Sequence, residues 1–112
     1  MTIDALREYG ADVDTGLNRC VNNEMLYLRL VKMVPNLEGF GKLEEALSKN
    51  DLTAAFEAAH GLKGAIGNLS LTPLYCLIDV ITEDLRAKTD KDYSTQLKAI
   101  MDQRKKLEDI CV

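Results

Sequence analysis

His60 is the only histidine in the chain and sits in the stretch Ala58 to Leu69, AAHGLKGAIGNL, with Lys63 and Gly64 just after it. A neutral imidazole is a good nucleophile that titrates near neutral pH, so an exposed one can take up and give away a phosphoryl group. A lysine one helical turn away can stabilise charge on phosphoryl oxygens. A glycine at the next position leaves room for an incoming partner. Glu57, one turn before His60, has the helical spacing to accept a bond from one ring nitrogen.

Whether that chemistry is available depends on which way the histidine faces. At about 100° per residue, Gly67 falls about 20° from His60, Gly64 and Phe56 about 40° away on opposite sides, and Lys63 and Glu57 about 60°. Opposite lie Ala55, Ala58, Leu62, Ala65, Ile66 and Leu69, the expected core face. Turning His60 inward would expose Leu62, Ile66 and Leu69, so we expect it to face outward, with Phe56 as an apolar docking contact beside it. Glycine costs roughly 1 kcal/mol relative to alanine inside a helix. Gly64 and Gly67 are expected to offset that by keeping a partner's approach open, and close helix crossing is the rival explanation for the pair. Gly61, about 100° from His60, is explained by neither.

Helices must carry this face. Apolar residues recur at helical spacing along nearly the whole chain, and no run alternates as an exposed strand would. Expected are a short helix over Ile3 to Tyr9, a second capped by Asp14 and carrying Leu17, Cys20 and Val21, and a third over Glu24 to Val34 ended by Pro35. The third is expected to turn Met25, Leu28, Leu30, Val31 and Val34 inward. A fourth runs from Leu37 to Ser48. Asp51 caps the histidine helix, Ser70 or Thr72 starts the next with Pro73 at its first position, and a turn at Thr89 to Lys91 precedes a C-terminal helix. The fold class is all-α, an antiparallel four-helix bundle with additional short N-terminal helices.

A length of 112 residues, 46% hydrophobic and 29% charged, fits one folded domain over residues 1–112. The net charge of -4 argues against a general nucleic-acid binder. Neither a secretory signal nor a run of ~20 apolar residues occurs, so no membrane association is expected. Cys20, Cys76 and Cys111 form no CxxC pair, which fits a reducing, cytoplasmic compartment. One histidine and scattered cysteines make no recognisable metal site, and the glycines spell GxxGxxG, which is neither nucleotide-binding glycine pattern. No cofactor is expected. The chain offers a nucleophile without the apparatus of a complete enzyme.

His60-Gly61-Leu62-Lys63-Gly64, read as HxLKG and followed by Asn68-Leu69, resembles the histidine-containing phosphotransfer (Hpt) domain of two-component phosphorelays. LEEALSKNDLTAAFEAAH before it, VDTGLNRCVNNEMLYLRLV upstream and LTPLYCLIDVITEDL downstream are similar to the family as well. The resemblance implies a phosphoryl carrier: His60 modified on Nε2, Lys63 as the family's basic residue, Gly64 as its access glycine. It also implies two partners, a hybrid sensor histidine kinase as donor and a response-regulator receiver domain as acceptor, with Mg²⁺ held by the receiver. Ser70 stands where the family often has glycine, so the exit from the histidine helix is expected to differ. The chain opens on Met1, and a free-standing, monomeric carrier is the expectation. A non-enzymatic helical binding module using the Phe56/His60/Gly64 face is the alternative.

Overall fold

The computed structural model describes residues 1–111. It contains α1 (Ile3–Tyr9), α2 (Val13–Arg19), α3 (Glu24–Met33), a 3-10 turn over Val34–Asn36, α4 (Glu38–Ser48), α5 (Leu52–Asn68), α6 (Thr72–Arg86) and α7 (Ser94–Ile110). Among the described residues there is no strand. Helices α4 to α7 form an antiparallel four-helix bundle, and α1 to α3 close one end of it. Phe40, Leu43, Ile66, Leu74, Ile78, Ile81, Leu85, Ile100 and Leu107 fill the core. A close approach at Gly39 sets the spacing between α4 and α5. A Cβ on Gly39 of α4 would come within 2.7 Å of Leu62 Cγ, so the Leu62 side chain of α5 packs directly on the α4 backbone there.

The short N-terminal helices depart from expectation in detail. Asp12, not Asp14, caps α2: its carboxylate accepts from the Thr15 backbone N–H at 3.3 Å and from the Thr15 hydroxyl at 2.8 Å. Asp14 instead pairs with Arg7 of α1 at 2.8 Å. Helix α2 stops at Arg19, and Val21 and Asn22 both adopt left-handed backbone at φ 50° and 57°. Val21 therefore leaves the predicted stripe and is 82% exposed, as Met25 is at 74%. Tyr27 takes the inward place in α3. Its ring lies over Gly16 and its hydroxyl donates to the Leu69 carbonyl at 2.9 Å, tying α3 to the end of α5. Pro35 lacks the N–H that would continue α3, and the chain tightens into the 3-10 turn one residue earlier than expected. Arg104 of α7 donates to the Pro35 carbonyl at 2.7 Å and lies over the Phe40 ring at 5.0 Å.

Asp51 caps α5 as its sequence position predicts, accepting from Ala54 N–H at 3.1 Å. At the other end Leu71 N–H bonds to Ile66 C=O, Ser70 N–H bonds to Gly67 C=O, and Ser70 sits at φ 55°. That pattern is the left-handed helix stop in which glycine is commonest. Ser70 thus keeps the shape that a glycine would give, and its carbonyl accepts from Asp12 N–H at 2.9 Å. Leu71, rather than Ser70 or Thr72, is the N-cap of α6, without a side-chain bond, and Pro73 is the second helical residue. The α6–α7 connection is wider than a single turn at Thr89 to Lys91. Asp84 holds it by accepting from Lys91 at 2.6 Å and Gln96 at 3.0 Å, and Tyr93 donates to the Thr89 carbonyl at 2.7 Å.

A serine held in left-handed backbone is strained by about 1 kcal/mol relative to glycine. Ser70→Gly is expected to raise the urea midpoint by an amount corresponding to up to about 1 kcal/mol; a lower midpoint would contradict this view of the helix exit.

Candidate functional site

The rotation of α5 is fixed by what it buries. Ala55, Ala59, Leu62 and Ile66 are fully or almost fully buried, and Leu69 nearly so. Ala59 joins the buried set, while Ala58 and Ala65 are only half-buried because that flank borders an open groove between α4 and α5. The core face is thus skewed toward α6 relative to expectation. His60 remains on the outside and is exposed.

Phe56 stacks on the imidazole, with ring centroids 5.6 Å apart and planes 19° from parallel. The Arg86 guanidinium of α6 lies 4.9 Å from the Phe56 centroid, a cation–π contact that holds the aromatic ring from the other helix. Among the described residues neither nitrogen of His60 is hydrogen-bonded to a protein group. The expected bond from His60 to Glu57 is not made: Glu57 is exposed on the rim of the α4–α5 groove, and the stacking of Phe56 orients the ring instead.

Lys63 reaches across to α6, where its ammonium lies 2.8 Å from Asp79 Oδ1 and 3.7 Å from Glu83 Oε1. The bond to Asp79 pushes the Lys63 ammonium above the usual lysine range, so it stays charged at neutral pH. Glu83 in turn pairs with Arg86 at 3.3 Å. Asp79, Glu83 and Arg86 were not singled out in the sequence. Their signal is a charged row at helical spacing on α6, which meets α5 only once the helix register is known.

The three glycines of the stretch separate. A Cβ at Gly64 would meet nothing within 4 Å, and Gly64 opens beside His60 into a depression of about 560 Å³ that Lys63, Tyr75 and Arg19 also line. A Cβ at Gly67 would fall 2.9 Å from Tyr75 Cε1, so Gly67 admits the α6 tyrosine, the close-crossing explanation. Its carbonyl accepts from Arg19 of α2 at 2.6 Å. Gly67 therefore borders the depression without being open space. Gly61 has nothing within 4 Å and faces the α4–α5 groove; nothing in the structure explains it.

A family model described as the Hpt domain matches residues 36–106, more than half of the chain. The chain belongs to the Hpt family. Membership carries a general role in a phosphorelay, as a phosphoryl carrier working with receiver and sensor-kinase domains. In this Hpt domain the match takes in α4, α5, α6 and most of α7, which are the bundle itself, and begins downstream of α1 to α3. No curated protein and no solved structure matches the chain. Among the described residues no helix is long and apolar enough to cross a membrane, and no group of three or more His, Cys, Asp or Glu is placed to hold a metal ion. Cys20 is buried, Cys111 half-buried and Cys76 exposed, and none of the three forms a disulfide.

The open glycines give a stability test. Gly64→Ala and Gly61→Ala should each stabilise the fold by up to about 1 kcal/mol through helix propensity alone. At Gly67 the overlap with Tyr75 should cancel or reverse that gain. Denaturation midpoints of the three variants check this, and equal stabilisation at all three positions would contradict the packing role of Gly67.

Proposed function

We propose that His60 is the phosphoacceptor of this Hpt domain. The observation that supports the reading best is the exposed imidazole itself, stacked on Phe56, without a hydrogen bond to any of the described residues and standing beside the open backbone of Gly64. In the forward step a lone pair on the neutral ring, at Nε2 as in the family, attacks the phosphorus of a receiver's aspartyl phosphate. The N–P bond forms as the acyl O–P bond breaks, and the aspartate leaves as a carboxylate with the bonding electrons. Onward transfer runs the same displacement in reverse on the aspartate of a second receiver.

The remaining roles follow from position. Phe56 presents the ring and an apolar contact to the partner, Gly64 leaves its approach clear, and Lys63 carries positive charge one turn from the reacting nitrogen. Glu57 and Gly67 border the docking surface. A phosphoryl group spread over three oxygens needs more positive charge than one lysine, and the Mg²⁺ that supplies it belongs to the receiver's acidic pocket. The donor is a hybrid sensor kinase and the acceptor a response regulator, and the domain itself needs no cofactor.

Radiolabel carried by a phosphorylated receiver should pass to wild-type protein and not to His60→Gln. Lys63→Ala should slow transfer by roughly 3- to 10-fold, the scale of a partly exposed charge pair. Gly64→Gln should reduce transfer by at least about tenfold through misplaced docking, with its circular dichroism unchanged. Labelling of His60→Gln at the wild-type rate would overturn the assignment, and an unaffected Gly64→Gln would remove the access role.

A further inference from the structure

Lys63 is one turn from His60, yet its ammonium is held by α6. It lies 2.8 Å from Asp79, with Glu83 at 3.7 Å, and the lysine side chain is only 25% exposed. Arg86, the other cation on this flank, is committed to Glu83 and to the Phe56 ring. Along the seam between α5 and α6 two cations are therefore matched by two carboxylates, while Arg19 of α2, which lines the same depression, donates to the Gly67 carbonyl. A phosphoryl group on His60 arrives with close to two negative charges. To bond it, Lys63 must divide its three donors between the phosphoryl oxygens and Asp79 or leave Asp79 altogether, and either way the carboxylate lessens what the lysine gives the phosphohistidine.

We infer that Asp79, supported by Glu83, is a positioning residue that restrains Lys63 on α6 and so keeps the phosphohistidine of His60 labile for onward transfer. The register of the helices makes this specific to α6: Phe56 meets Arg86, Lys63 meets Asp79, and Gly67 meets Tyr75, in antiparallel order. The two carboxylates thus flank the level of His60. This inference rests on the assignment of His60 as phosphoacceptor, and its test includes a donor that does not depend on a partner protein.

The variants are Asp79→Asn, Asp79→Glu, Lys63→Ala and Lys63→Ala/Asp79→Asn, each labelled in two ways. Phosphoramidate labels the imidazole directly: the ring nitrogen attacks phosphorus, the P–N bond breaks, and ammonia leaves with the proton. A phosphorylated receiver labels it by exchange. With Asp79→Asn, hydrolysis of the phosphohistidine should slow and the receiver equilibrium should shift toward His60, each by about 2- to 5-fold. Asp79→Glu should restore wild-type values, and in the Lys63→Ala background Asp79→Asn should change little. An equally large effect without Lys63 would mean a direct field of Asp79 and would overturn the restraint, as would no shift or a shift away from His60. If the receiver fails to label wild type while phosphoramidate reveals the Lys63–Asp79 coupling, the relay assignment fails and the restraint stands. If neither donor labels wild type, both fail.

Discussion

The burial of one face of α5 is the constraint on which the rest of the structure depends. Ala55, Ala59, Leu62 and Ile66 go inward, and each large aliphatic side chain so buried is worth about 1.5–3 kcal/mol. Rotating α5 far enough to bury an imidazole would return Leu62 and Ile66 to water and leave the ring nitrogens without partners. The outward stripe is thereby left to Phe56, His60 and Gly64. The absence of a side chain at Gly39 lets α4 approach Leu62 closely, so the helix is clamped on that flank as well as rotated.

The α5–α6 register adds the electrostatics. Because α6 runs antiparallel to α5, its residues meet the histidine helix as ordered pairs: an arginine on the aromatic ring, carboxylates on the lysine, a tyrosine over the glycine. The aromatic pair orients the imidazole without consuming either nitrogen, which suits a nucleophile better than a hydrogen bond would. The tyrosine against Gly67 and the Tyr27 bond to Leu69 fasten the C-terminal end of α5 to α6 and α3. The open glycine, Gly64, lies one turn before these fastenings. A carrier must hold its group firmly enough to accept it and loosely enough to release it, and on the proposed assignment a lysine shared with α6 would provide an intermediate grip.

Much of this was legible from periodicity. The outward phase of His60, the Asp51 cap, the open space at Gly64 and the α4, α6 and α7 stripes all depend on residues within a few turns of each other, where spacing alone decides the geometry. What was not legible depends on contacts between helices. The engagement of Lys63 by Asp79 and Glu83, the contact of Arg86 with Phe56 and the filling of Gly67 by Tyr75 need the interhelix register, which no single-helix pattern contains. Glu57 has the right spacing from His60, but spacing does not say that an aromatic one residue earlier takes the imidazole. The ends of the short N-terminal helices are ambiguous in sequence because Asp12 and Asp14 are equally good caps in isolation, and the choice falls to Arg7 of the neighbouring helix. Val21 has the spacing of the α2 stripe, but the chain leaves that stripe by turning into left-handed backbone.

The central claim is that the ring of His60 carries the phosphoryl group. Phosphorus–proton correlation NMR on protein labelled by a phosphorylated receiver tests it at the atom concerned. The account predicts a single phosphoramidate-type phosphorus resonance coupled to the ring protons of His60. A phosphorus signal coupled to a serine, threonine or tyrosine side chain, with the His60 ring resonances unmoved, would contradict it.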